Sequence, residues 1–222
     1  MVTETHFQKE LGELKEYLLK MATLVEETIR GAVQALVKRD SELAKNTFEM
    51  EDEIHSVEIA IDSMCLKLLA LRQPMAADFR FISSAMKITT DLERMGDQAV
   101  NIDKHALSLN QEPQLKPYVD ISKMAEIAQS MVKEVLDAFV NRDSKLARSV
   151  YEKDNLVDGL NDQVIRELLI HMTSDPGTIP RGVHSMIVCR CLERIADLAT
   201  NIGEDVIFLV DALFIKDQTD FE

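Results

Sequence analysis

The sequence predicts an all-α protein: two tandem, similar three-helix bundles, six long antiparallel helices in all, arising from an internal duplication. Three observations predict it. Gly, Pro and aromatic residues are few and Trp is absent, a composition that favours helices over sheets. Apolar residues recur at alternating steps of three and four through every long stretch. The stretch Asp91-Leu92-Glu93-Arg94-Met95-Gly96-Asp97-Gln98-Ala99-Val100-Asn101-Ile102 returns as Cys191-Leu192-Glu193-Arg194-Ile195-Ala196-Asp197-Leu198-Ala199-Thr200-Asn201-Ile202. Leu, Glu, Arg, Asp, Ala, Asn and Ile keep their places between the two copies.

The elements follow in order. Helix one is expected from about Glu4 to Lys38, with Leu11, Leu14, Leu18, Met21, Val25 and Thr28 on its seam. Asp40 is the expected N-cap of helix two, whose seam is Ile54, Val57, Ile61, Met64, Leu68 and Leu71. Gln73-Pro74 ends it, and helix three opens near Pro74 and runs to about Leu109. Its seam is Leu92, Met95, Ala99, Ile102, Ala106 and Leu109. Residues 111–117 carry two prolines and few apolar side chains, so they are read as a linker between a first bundle, 1–110, and a second, 118–222. Helix four is expected over about Val119 to Val140. Arg142-Asp143-Ser144 then repeats Arg39-Asp40-Ser41, and helix five runs to about Met172. Asp175 to Pro180 is a turn, and helix six runs from about Arg181 to Phe214. The copies are offset by 103 at the Arg-Asp-Ser turn and by 100 at the Leu-Glu-Arg motif, which a three-residue difference in one loop accommodates. Each unit can bury three apolar stripes against one another, and helices of about thirty residues, roughly 45 Å long, predict an elongated molecule.

Composition bounds the function. A formal net charge of −14 argues against nucleic acid and anionic lipid as ligands, since both need a basic face, and favours cations or a basic partner surface. Three Cys without framework spacing point to a reducing compartment. The start, Met1 to His6, has no signal-peptide pattern, and the most apolar stretch, Val206 to Ile215, is too short to span a bilayer and carries a charge. A soluble, cytoplasmic protein is expected.

Glu93 and Asp97 stand four apart on one side of helix three, as do Glu193 and Asp197 on helix six. On a helical wheel with Leu92 at zero, Glu93, Asp97 and Asn101 fall near 100°, 140° and 180°, away from a seam centred near −40°. Carboxylates so placed cannot form a ferritin-like di-iron centre in a bundle core; any metal would sit outside. The 103 offset aligns Glu51 with Asp154 and His55 with Asp158, again four apart and flanking the seams. Each unit could then gather two pairs at one external groove: Glu51, His55, Glu93 and Asp97, and Asp154, Asp158, Glu193 and Asp197. Oxygen donors with one imidazole suit iron, manganese, magnesium or zinc without choosing among them. The plainer reading of any single acidic pair is a solvated helix face. Arg94 and Arg194 are expected to pair with nearby acids. Cys189 and Cys191 lie about 200° apart on a helix and cannot easily share a metal. His171 and His184 have no evident partner, and no phosphate loop or nucleophile motif is present.

At these residues the sequence resembles the PhoU family, accessory regulators of phosphate-specific transport: both Leu-Glu-Arg-x-x-Asp-x-x-x-Asn-Ile copies, the Arg-Asp turns before helices two and five, and the two-fold repeat carry the likeness. The resemblance implies surface metal clusters on Glu/Asp-x-x-x-Asp pairs, matching Glu93 with Asp97, Glu193 with Asp197 and Asp154 with Asp158. Glu51 with His55 departs from that pattern, as does Cys191 opposite Asp91, so the two sites are expected to differ in affinity or metal. It further implies a non-enzymatic negative regulator linking the ATPase of a phosphate ABC transporter to a sensor histidine kinase, commonly as a homodimer. The alternatives are a metal-dependent helical-bundle enzyme or metal store, with carboxylates converging on an enclosed cavity, and a purely structural adaptor whose acids serve only solvation.

Overall fold

The computed structural model describes residues 6–213. Among them the chain forms six long helices: α1 His6–Lys38, α2 Ser41–Arg72, α3 Ala77–Asn110, α4 Val119–Asn141, α5 Ser144–Ser174 and α6 Ile179–Asp211. A 3-10 turn, Pro176–Thr178, precedes α6. The expected ends at Glu4 and Phe214 lie outside the described residues. α1, α2 and α3 pack on one another, as do α4, α5 and α6, and α3 lies along α6.

The repeated turns have one construction. Arg39 and Arg142 leave their helices with φ of 56° and 52°, in the left-handed region that closes a helix. Asp40 and Asp143 follow as N-caps: Asp40 Oδ1 accepts from the backbone N–H of Glu42 and Leu43, and Asp143 Oδ1 from Lys145 and Leu146. Arg39 also closes the far end of its unit, its guanidinium donating to the carbonyls of Leu109, Asn110 and Glu112. α3 starts at Ala77 rather than near Pro74, because Gln73 turns left-handed at φ 47° and Ala76 then takes a positive φ of 45° with ψ −107°. Leu71, expected on the α2 seam, is 66% exposed. The buried row on α2 steps by four from Ile61 to Cys65 and ends at Leu68, leaving Met64 half-buried and rotating Leu71 outward. The α3 seam is buried throughout its predicted length.

α3 and α6 run antiparallel and bury a second face that the apolar seams do not account for. Ser84 donates to the Asp205 carbonyl, Lys87 pairs with the Asp205 carboxylate at 2.8 Å, and the Nδ1 atoms of His105 and His184 approach to 2.7 Å. His184 therefore has a partner after all, contributed by the other unit. Cys65, Cys189 and Cys191 are free and buried, and burial pushes their thiols up to about 12, 12 and 11.

One buried pair distinguishes the units. Asp103 is fully buried between α3 and α2, and burial pushes its carboxyl up to about 7 against the opposing pull of Thr47. Thr47 Oγ1 lies 2.8 Å from the Ala44 carbonyl and in closer contact still with Asp103 Oδ2. A hydroxyl carries one proton, so both contacts are satisfied when Asp103 keeps its own and donates it to Thr47. Asp103 Oδ1 has no partner. An acid held neutral in the fold binds a proton that the unfolded chain releases, so stability should fall as pH rises from about 4 to about 7. Asp103→Asn preserves the hydrogen bond without the titration. The variant should match the wild type near pH 4 and exceed it at pH 8, measured by urea unfolding.

Candidate metal centre

The first cleft lies between α2 and α3. Glu51, His55 and Glu58 succeed one another at steps of four and three, so they share one side of α2. Glu93 and Asp97 do the same on α3. The helices approach closely at Gly96, where a Cβ would stand 3.1 Å from the Ile54 side chain. Glu51, Asp52, His55, Glu93 and Asp97 line a cleft of about 280 Å³, with Ile54 and Gly96 between them. His55 Nδ1 sits 3.1 Å from Glu58 Oε2. His55, Glu58 and Glu93 each bring one ligating atom to within 4.8 Å of the others. Burial raises the Glu93 carboxyl, and Asp97 and Glu58 push it further, while His55 and Arg94 oppose them. His55 and Asp97 are exposed and Glu51 and Glu93 half-buried, so the cleft opens to solvent as the helical angles require.

The second cleft repeats this plan between α5 and α6, with differences. Asp154 is buried and Asp158 exposed on α5; Glu193 is half-buried and Asp197 exposed on α6. These four do interact. The Asp154 carboxyl is pushed up to about 6 by burial, then by Asp158, Asp197 and Glu193. Burial and Asp158 likewise raise Asp197, against Arg190 and Arg194. Asp154 Oδ1 is buried with no hydrogen-bond partner. Yet among the described residues this cleft does not bring three ligating atoms within 4.8 Å, as the first does. Four carboxylates repel, and the Arg190 guanidinium holds both oxygens of Glu193. No counterpart of Arg190 stands in the first cleft, where the equivalent residue is Thr90.

Three participants escaped the sequence reading. Glu58 lies three residues beyond His55, outside the four-residue spacing that marks the acidic pairs. The 103 offset places Asn161 at the position of Glu58. It is buried, with its Oδ1 unpartnered, on the same side of α5 as Asp154 and Asp158. Arg190 was legible only as a charge one turn before Glu193. Of the expected arginine pairings, Arg94 lies 3.7 Å from Asp91.

The donors present fit a metal. Asp154, nine-tenths buried, has an unpartnered carboxylate oxygen and is opposed by three further acids, a group that a cation would satisfy. An imidazole and two carboxylates at mutual ligating distance are a ready N/O donor set. Each cleft carries exposed donors, His55 and Asp97 in the first and Asp158 and Asp197 in the second, so water reaches both.

Residues 18–105 and 121–206 match the family described as PhoU domain. The phosphate-specific transport system accessory protein PhoU homolog of Aquifex aeolicus is 45% identical over 210 residues, covering 95% of each chain. The homolog of Pseudomonas aeruginosa is 42% identical over 92% of this chain and 85% of its own. The crystal structure of PhoU from Pseudomonas aeruginosa superposes with a TM-score of 0.91 at 41% identity, over 94% of this chain and all of that one. The phosphate transport system regulatory protein PhoU from Streptococcus pneumoniae superposes with a TM-score of 0.86 at 32% identity, over 96% of this chain and all of that one.

Proposed function

The chain belongs to the PhoU family, and on that ground we propose that it serves a phosphate-specific transport system as an accessory protein acting by docking rather than by catalysis. The observation that carries this reading is the end-to-end match with relatives bearing that description. In its finer form, the protein is a negative regulator of phosphate uptake and starvation signalling. It links the ATPase of a phosphate ABC transporter to a sensor histidine kinase, as a homodimer. Among the described residues no helix is long and apolar enough to cross a membrane; contact with the transporter would run through that ATPase.

Metal belongs to this reading as the means of docking. His55, Glu58 and Glu93, with Glu51 and Asp97, would hold an ion in the first cleft, and Asp154, Asp158, Glu193 and Asp197 one in the second. An ion bound there would neutralise charge that repels an acidic partner and would attract an oxygen or nitrogen atom of that partner. Iron, manganese, magnesium and zinc are the candidates. The openness of both clefts favours this over a metal-dependent enzyme.

Deleting the gene should derepress alkaline phosphatase in phosphate-rich medium, and the wild-type gene should restore repression. A reporter that stays off after deletion rules out a negative regulator. Complementation with Glu93→Ala and Asp97→Ala together should restore repression poorly if the first cleft's metal is needed.

A further inference from the structure

The two clefts are related by duplication but no longer carry the same donors. Where the first has His55, the second has Asp158; where the first has Glu58, the second has Asn161. The first combines an imidazole with carboxylates, whereas the second is all oxygen: four carboxylates and, on the same side of α5, one amide carbonyl. They also differ in readiness. His55, Glu58 and Glu93 already bring ligating atoms within 4.8 Å of one another. In the second cleft Glu193 is engaged by Arg190, while Asp154 Oδ1 and Asn161 Oδ1 are buried without partners. Those two orphaned oxygens belong to side chains 8% and 6% exposed.

We infer that the clefts are matched to different classes of metal: the first to a borderline transition ion of the zinc type, the second to a hard ion of the manganese or magnesium type. The inference rests on the proposed metal-binding role and adds selectivity to it. Imidazole is a good ligand for zinc and a poor one for magnesium, whereas carboxylate and carbonyl oxygens suit hard cations, which accept many such donors in flexible geometry. A donor set gathered before binding spends little binding energy on rearrangement. The first cleft therefore binds tightly, and the second binds more weakly, since its ion must displace Arg190 from Glu193.

The test uses the full chain, stripped with chelator and titrated with Zn²⁺ and, separately, with Mn²⁺ by calorimetry, with bound metal counted by elemental analysis. Zn²⁺ should show one tight equivalent. His55→Asp, which gives the first cleft the residue of the second, should weaken that equivalent at least about tenfold while changing Mn²⁺ affinity less than about threefold. His55 is exposed, so the fold should survive, and circular dichroism checks it. Conversely, Asp158→His with Asn161→Glu should create a second tight Zn²⁺ equivalent. Equal Zn²⁺ affinity at both clefts, or Zn²⁺ binding unmoved by His55→Asp, overturns the selectivity while leaving metal binding in place. Failure of the wild type to bind either ion overturns both.

Discussion

Replacing Gly203 by Leu is expected to cost about 3 kcal/mol or more and to open the second bundle before the first. A Cβ at Gly203 would stand 3.1 Å from the Ala147 carbonyl oxygen of α5, with the Val150 and Val135 side chains at 3.4 and 3.7 Å. The nearest of these atoms is backbone, so no rotamer change relieves the clash and α6 must move away from α5. That separation would disturb Leu192, Ile195, Ala199 and Ile202, all buried on α6. Against a typical domain stability of about 5–15 kcal/mol, such a loss is large. Urea unfolding followed by circular dichroism should show a displaced midpoint or a separate early transition. Gly12→Ala is the control: nothing lies within 4 Å of a Cβ there, and Ala in an exposed helix interior should gain about 0.5–1 kcal/mol. A Gly203→Leu midpoint equal to that of the wild type would mean that α5 and α6 do not approach as described.

The same site shows how far the duplicated halves have diverged. Ala44, Thr47 and Asp103 occupy in the first unit the places of Ala147, Val150 and Gly203 in the second. The first unit fills the space with a hydroxyl and a neutral carboxyl; the second closes the helices on one another and needs no polar atom. Offsets in the sequence were enough to align these residues, but not to say which would be buried.

Helices and their caps were legible because their signals are local. Periods of three and four fix a buried stripe, and an Asp just before a helix has only that helix's N–H groups to accept from. The positive-φ turns at Arg39, Gln73, Ala76 and Arg142 were not legible, since none carries the Gly or Asn that marks such a turn. Nor was the α3–α6 contact. Ser84, Lys87, Asp91, His105, His184 and Asp205 are polar, so apolar periodicity passes over the face they form, and the closest pair in it is separated by 79 residues. The acid pairs of the clefts were visible as one-turn spacings. What joined Glu58 to them was the packing of α2 on α3, which no single helix records. What held Glu193 back was a neighbouring arginine that the repeat itself lacks in its first copy.

Converting Asp154 and Asp158 to Asn should make the metal-free protein more stable and the metal-loaded protein less so. In the metal-free fold, Asp154 is buried with an unpartnered oxygen, and Asp158, Asp197 and Glu193 all oppose its ionisation. Removing two of those charges should gain about 1–2 kcal/mol at pH 7.5, discounted for the water that reaches an open cleft. At about 2–4 °C per kcal/mol for a chain of this size, the melting temperature should rise by several degrees. Mn²⁺ at a hundredfold excess over its Kd stabilises a protein by about 2.7 kcal/mol through mass action. The wild type should gain that at the second cleft and the variant should not, while the first cleft contributes equally to both. The order of the two melting temperatures should therefore reverse when Mn²⁺ is added. A solvated acidic face cannot produce that reversal, because it neither destabilises the fold when ionised nor holds an ion. Two proteins that melt alike, with and without Mn²⁺, would reduce the second cleft to such a face. A reversal would mean that the fold tolerates unrelieved repulsion at Asp154 because a cation relieves it.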